Sequence, residues 1–122
     1  MKKMFLCLTV VFFSSSTFSG QWFAVDGGVI EVKLNTSEVE NSLWKYVSSK
    51  SNKKFASKEL YVFQYKAITK DTLKIMGSCD VQKEADLNKA FYMVFDGGSC
   101  YFQIKYNLKT GMFSELSVNG EA

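Results

Sequence analysis

Carboxylates and cysteines are the residues of this chain with chemistry to offer, because the sequence contains no histidine. That absence removes the Ser-His-Asp triad, the Cys-His pair and the imidazole base together. It also removes a common zinc ligand, so no metal site is expected around Cys79 and Cys100. The acids are badly spaced for catalysis. Glu38 and Glu40 stand two apart, and on a helix such neighbours point in different directions. Helix N-terminal charge and capping account for both. Glu84 and Asp86 fall in a polar connection. Asp26 and Asp96 each precede a Gly-Gly pair, but the regular oxygen-ligand spacing of a calcium loop is missing around them. A pair of acids converging in a cleft, as in glycoside hydrolysis, is the one catalytic arrangement still open. The inventory therefore predicts a protein that is not an enzyme and uses no cofactor.

Cys79 and Cys100 are an even pair once the N-terminus is considered. Lys2 and Lys3 precede an apolar run over 4–13, followed by the small polar stretch Ser14-Ser15-Ser16-Thr17. This is the layout of a secretory leader, and the run is about half the roughly 20 residues that a membrane span needs. Thr17 and Ser19 are the small residues at −3 and −1 of a cut after Ser19; a cut after Gly20 would put Phe18 at −3. The expected division is a leader over 1–19, carrying Cys7 away with it, and one domain over 20–122. An exported protein with two remaining cysteines is expected to bridge them. The bridge would restrict the unfolded chain by roughly 3 kcal/mol.

The charge balance narrows the partners. Lys and Arg number 15 against 12 acids, and losing Lys2 and Lys3 leaves the domain near neutral. Nucleic-acid binding rests on concentrated positive charge, so no nucleic-acid partner is expected, and no membrane once the leader is gone.

The elements that must position these residues read as a series of hairpins with one helix among them. Val25-Asp26-Gly27-Gly28 separates an expected strand at 21–24 from a second at 29–34, where Ile30, Val32 and Leu34 alternate with Glu31 and Lys33. Phe95-Asp96-Gly97-Gly98 separates 90–94 from 99–106 in the same way. Further strands are predicted over 60–68, 72–81 and 112–118. Ser37 and Glu40 match a capping box, and Val39, Leu43, Tyr46 and Val47 recur at helical spacing, which predicts one amphipathic helix over about 38–50. Cys79 shares strand parity with Leu73 and Ile75, and Cys100 with Phe102 and Ile104, so both cysteines should face the apolar side. The expected class is α+β, predominantly β: an antiparallel sheet or small sandwich with one helix packed on it.

Binding features are more numerous than catalytic ones. Tyr61, Phe63 and Tyr65 share one strand face, opposite Leu60 and Val62, so both faces need a cover: the helix, a second sheet or another protein. Trp and Tyr are favoured interface anchors. The Lys53-Lys54-Phe55 loop and the two turns at Asp26 and Asp96 could protrude.

The layout resembles the small periplasmic immunity proteins of type VI secretion systems, in particular those that neutralise a spike protein with a C-terminal peptidoglycan-hydrolase domain. The resemblance spans the Met-Lys-Lys leader, the single domain, the Cys79 and Cys100 pair, the Asp96-Gly97-Gly98-Ser99-Cys100-Tyr101-Phe102 segment and the Val118-Asn119-Gly120-Glu121-Ala122 tail. It implies a periplasmic protein that fills the substrate cleft of its cognate hydrolase effector, and it implies a homodimer. Lysine, serine and tyrosine are suitable donors to the acids of such a cleft. The candidate contact residues are accordingly Lys53, Lys54, Phe55, Asp26, Asp96, Ser99, Tyr61 and Tyr65. The alternatives are an exported helix-on-sheet module that binds a small ligand, and a carboxylate-based hydrolase. A closed apolar pocket would mark the first, and two converging acids the second.

Overall fold

Among the described residues, alternation and helical spacing translate into five strands and one helix. The structure, a computed structural model, describes residues 20–120; the expected leader over 1–19 lies outside them. The elements are β1 (Gln21–Ala24), α1 (Thr36–Lys50), β2 (Val62–Ala67), β3 (Thr72–Ser78), β4 (Tyr101–Asn107) and β5 (Phe113–Val118), with short 3-10 turns at Lys58–Leu60 and Gly98–Cys100. They form one sheet in the order β1-β2-β3-β4-β5. β2 to β5 are antiparallel neighbours, whereas β1 runs parallel to β2. The class is α+β, predominantly β, and the described residues make one open sheet rather than a sandwich.

The helix packs on one face of this sheet. Val39, Leu43, Trp44 and Val47 bury their side chains against Tyr61, Phe63, Leu73, Ile75, Phe102, Ile104 and Phe113. Each such aliphatic or aromatic side chain stabilises the fold by about 1.5–3 kcal/mol through removal from water. Trp44 is the hub, with ring centroids 5.0 Å from Tyr61, 5.7 Å from Phe102 and 6.0 Å from Phe63. Gly77 makes room for this cluster: a Cβ there would stand 2.7 Å from the Phe102 ring and 3.2 Å from the Phe63 ring.

Three expectations are corrected. The run at 29–34 is not a strand and makes no hairpin with β1. Its Val32 and Leu34 pack against the core while Glu31 and Lys33 face solvent, but Ile30 is exposed, so the alternation holds only over 31–34. The chain there lifts off the sheet to begin the crossover helix that a parallel β1–β2 pair requires. The helix cap is Asn35, whose Oδ1 accepts from the Glu38 amide at 3.2 Å, rather than Ser37. Glu40 turns inward instead of back to the cap. Finally, 90–94 is irregular, and with it the whole stretch between β3 and β4 except the 3-10 turn.

That stretch is bounded by the Cys79–Cys100 disulfide, with Cα atoms 4.9 Å apart, and it runs over the sheet face opposite the helix. Gln64, only 2% exposed, holds it there. Its amide nitrogen donates to the carbonyls of Leu87 and Ala90 at 2.9 and 2.8 Å, and its Oε1 accepts from the Tyr92 amide at 2.8 Å. At the β5 edge the β4–β5 register slips between Gln103 and Lys105, and Glu115 takes a positive φ of 54°. Such irregularities discourage edge-to-edge pairing.

Candidate protein interface at the disulfide end

The disulfide places the end of β3 beside the start of β4, and the Cys79 amide donates to the Cys100 carbonyl at 2.8 Å. Three segments distant in sequence meet around it. Tyr61 is the first link: its hydroxyl donates to the Ser99 carbonyl at 2.8 Å and accepts from the Ala56 amide at 3.2 Å. The Ser99 hydroxyl in turn donates to the Lys54 carbonyl. Asn119 is the second link, with its side-chain amide donating to the carbonyls of Val94 at 2.6 Å and Asp96 at 3.1 Å. The Gly98 amide donates to the Gly120 carbonyl at 3.0 Å, and the Lys53 ammonium reaches the Asn119 carbonyl at 3.5 Å. Gly97 and Gly98 both take positive φ, 93° and 64°, which lets the turn fold over Tyr101.

The result is a rim built from 53–56, 94–99 and 119–120. Phe95 crowns it at 91% exposure, an aromatic side chain with almost no cover on a turn that hydrogen bonds hold still. Lys53 and Lys54 are exposed on the same rim. Phe55 serves a different purpose: half-buried, it makes edge contacts with Trp44 at 5.8 Å and Phe102 at 5.6 Å, which anchors the lysine loop to the core. Tyr61 is only 1% exposed and offers no surface to a partner. Burial raises its hydroxyl pKa above the ordinary tyrosine value, outweighing the Ala56 amide that lowers it. Tyr101 is raised as well, first by burial, then by Asp80 and Tyr92.

Of the residues singled out in the sequence, Lys53, Lys54, Phe55, Asp96, Ser99 and Tyr61 thus converge at this end. Asp26 and Tyr65 do not. Asp26 sits at the far end of β1, where its amide donates to the Asn88 carbonyl at 2.8 Å. Tyr65 is half-buried on the helix side, with its ring 6.0 Å from Trp22.

Two features were not legible as sites. Phe95 directly precedes the Asp96-Gly97-Gly98 turn, and that position at the turn tip is the signal that marks it. The other is a row of lysines. Lys66 pairs with Lys74 and Lys74 with Lys105 across three strands, all on the face opposite the helix. Like charges directly opposite one another repel. The Phe91 ring relieves the first pair, with its centroid 5.6 Å from the Lys66 ammonium and 5.1 Å from that of Lys74, and Glu115 takes Lys105 at 3.2 Å.

Among the described residues no three of His, Cys, Asp and Glu gather as a metal site, and no helix is long and apolar enough to cross a membrane. A groove of about 1130 Å³ lies between α1 and the Ser57 to Glu59 turn. Its walls are polar side chains such as Ser37, Glu38, Asn41, Lys45 and Lys58, with Trp44 as the one aromatic. No family model, no curated protein and no solved structure matches this chain.

Proposed function

We propose that this chain is an exported immunity protein that binds the peptidoglycan hydrolase of a type VI secretion effector and occludes its substrate cleft with the rim at the disulfide end. The observation that carries this reading is Phe95, nearly fully exposed on an immobilised turn, with Lys53 and Lys54 beside it on the same rim. Phenylalanine is among the aromatic residues enriched at protein interfaces, and it buries large area with little loss of freedom. Lysines suit the carboxylates of a hydrolase cleft. The disulfide belongs to an oxidising compartment, and the periplasm is the compartment where such a target is met. A homodimer belongs to the same proposal, with β1 as the edge that carries no register slip.

Mixing the purified, oxidised protein with the peptidoglycan-hydrolase domains of candidate type VI effectors, and following complex formation and peptidoglycan clearing, tests this. Stoichiometric inhibition is expected. Phe95→Ala should weaken binding roughly 30-fold or more, as loss of an anchor residue does, and Lys53→Glu with Lys54→Glu should weaken it further. Absence of binding by the folded protein sinks the reading. Wild-type inhibition by the Phe95 and lysine variants would move the interface off this rim. The groove along α1 is walled by polar side chains rather than closed and apolar, so it supports the small-ligand module less than the rim supports an inhibitor; saturable ligand binding that Lys45→Glu abolishes, with no hydrolase bound, would establish that second reading.

A further inference from the structure

Glu40 is a carboxylate only 4% exposed, on the inner side of α1. Among the described residues its hydrogen bonds all come from groups that are neutral in an uncut chain. The Gly20 nitrogen lies 3.1 Å from Oε1 and 3.0 Å from Oε2. The Trp22 indole donates to Oε1 at 3.0 Å and the Trp44 indole to Oε2 at 3.3 Å. The one salt bridge among the described residues, Lys105 to Glu115, is elsewhere. A buried carboxylate without a counter-charge is costly. Placing one nitrogen almost equally between both of its oxygens suits an ammonium with three protons better than an amide with one.

The counter-charge arises if the chain begins at Gly20. The Thr17 and Ser19 pattern puts a cut between Ser19 and Gly20. In that cut water adds across the peptide bond. Ser19 leaves as the carboxylate of the leader, and Gly20 keeps its nitrogen as an amine that is protonated at neutral pH. The position also demands glycine: a Cβ on residue 20 would stand 2.3 Å from the Tyr61 carbonyl oxygen and 3.0 Å from the Phe63 ring. We infer that Gly20 is the mature amino terminus and that its α-ammonium forms a buried ion pair with Glu40, so that leader removal completes the fold. Gln21 as first residue would leave Glu40 without this partner.

The other titratable groups around the pair are Tyr61, whose carbonyl faces Gly20, and Glu38, Lys45, Lys58 and Glu59, which share the groove that Glu40 lines. An α-amine ordinarily titrates at about 7.7–8.0, and the carboxylate raises it. Its contribution is therefore complete below about pH 7.7 and is lost as pH rises through the raised value.

The test starts from the full-length precursor exported with its own leader. Intact mass and N-terminal sequencing should show Gly20 first. A second precursor carries one alanine inserted between Ser19 and Gly20, which leaves the cut in place and moves the ammonium one residue away. This protein should melt roughly 4–8 °C lower at pH 7, and the gap should close by about pH 10 as the amine of the unaltered protein is neutralised. In a Glu40→Gln background the inserted alanine should make no difference. A first residue other than Gly20 overturns the inference. So do equal melting temperatures at pH 7, or a gap that persists at pH 10 or in the Glu40→Gln background.

Discussion

The two faces of the sheet are covered by opposite means. On one, a regular helix contributes Val39, Leu43, Trp44 and Val47 to an aromatic core, and the cover is held by apolar area. On the other, an irregular segment bounded by the disulfide is held by specific polar contacts: Gln64 to Leu87, Ala90 and Tyr92, Asn88 to Ala24, and Asn119 to Val94 and Asp96. Long loops without secondary structure are uncommon in small domains unless they carry function. Here the disulfide removes much of the freedom such a loop would have in the unfolded chain. The comparison teaches a division of labour: the helix side carries stability, and the other side can vary its surface without disturbing the core.

Removing the disulfide should break the comparison most severely. Cys79→Ser with Cys100→Ser is expected to cost about 3 kcal/mol in urea unfolding, with hydrogen exchange rising over 80–97 before α1 or β2 to β4 loses protection. Simultaneous loss on both faces would show a single cooperative unit instead. Gly77→Ala comes next, at about 2 kcal/mol, because the added methyl meets the Phe102 and Phe63 rings. A glycine replaced inside an open strand would ordinarily gain stability, so the sign is informative. Gln64→Leu should cost about 1 kcal/mol, since the freed loop carbonyls can regain water. Its effect should be concentrated in faster exchange at the Tyr92 amide, which loses its Oε1 acceptor. Tyr61→Phe should be mildest at neutral pH, at or just below 1 kcal/mol. Its signature lies in alkali. The raised Tyr61 pKa stabilises the fold fully below about pH 10 and is lost as pH climbs through the folded value. The variant should therefore lose less stability than the parent in thermal melts above pH 10.

The helix-side cover was legible because periodicity records burial directly. Val39, Leu43 and Val47 announce a buried helix stripe, and Tyr61 and Phe63 announce the strand beneath it. The cysteine parity was legible for the same reason, with Cys79 packed against the core as expected. The disulfide-bounded cover was not, because its positions are set by single polar contacts that leave no period. Gln64 alternates like any outward strand residue, and only its partners at Leu87, Ala90 and Tyr92 show that it faces protein. The 29–34 run shows the limit from the other side: alternation reports which residues are half-buried, but not whether a neighbouring strand is present to pair with. Of the rim, Lys53, Lys54, Asp96 and Ser99 were visible as loop residues. Their convergence, and the isolation of Asp26 and Tyr65 from them, depends on strand order, which no local pattern encodes.

Because β1 lies parallel to β2, its partner residues at Val62 to Tyr65 are synthesised only after the whole crossover helix. β2 to β5 form a meander of antiparallel neighbours, though the β3–β4 pair must first close the long disulfide-bounded loop. Pairing across intervening chain is slowed by loop closure. The N-terminal strand therefore seats late, against a sheet edge that already exists. In pulse-labelled refolding, the amides of β1 should gain protection after those of the β2–β3 hairpin, which makes the N-terminal edge the last part of the molecule to acquire its native shape.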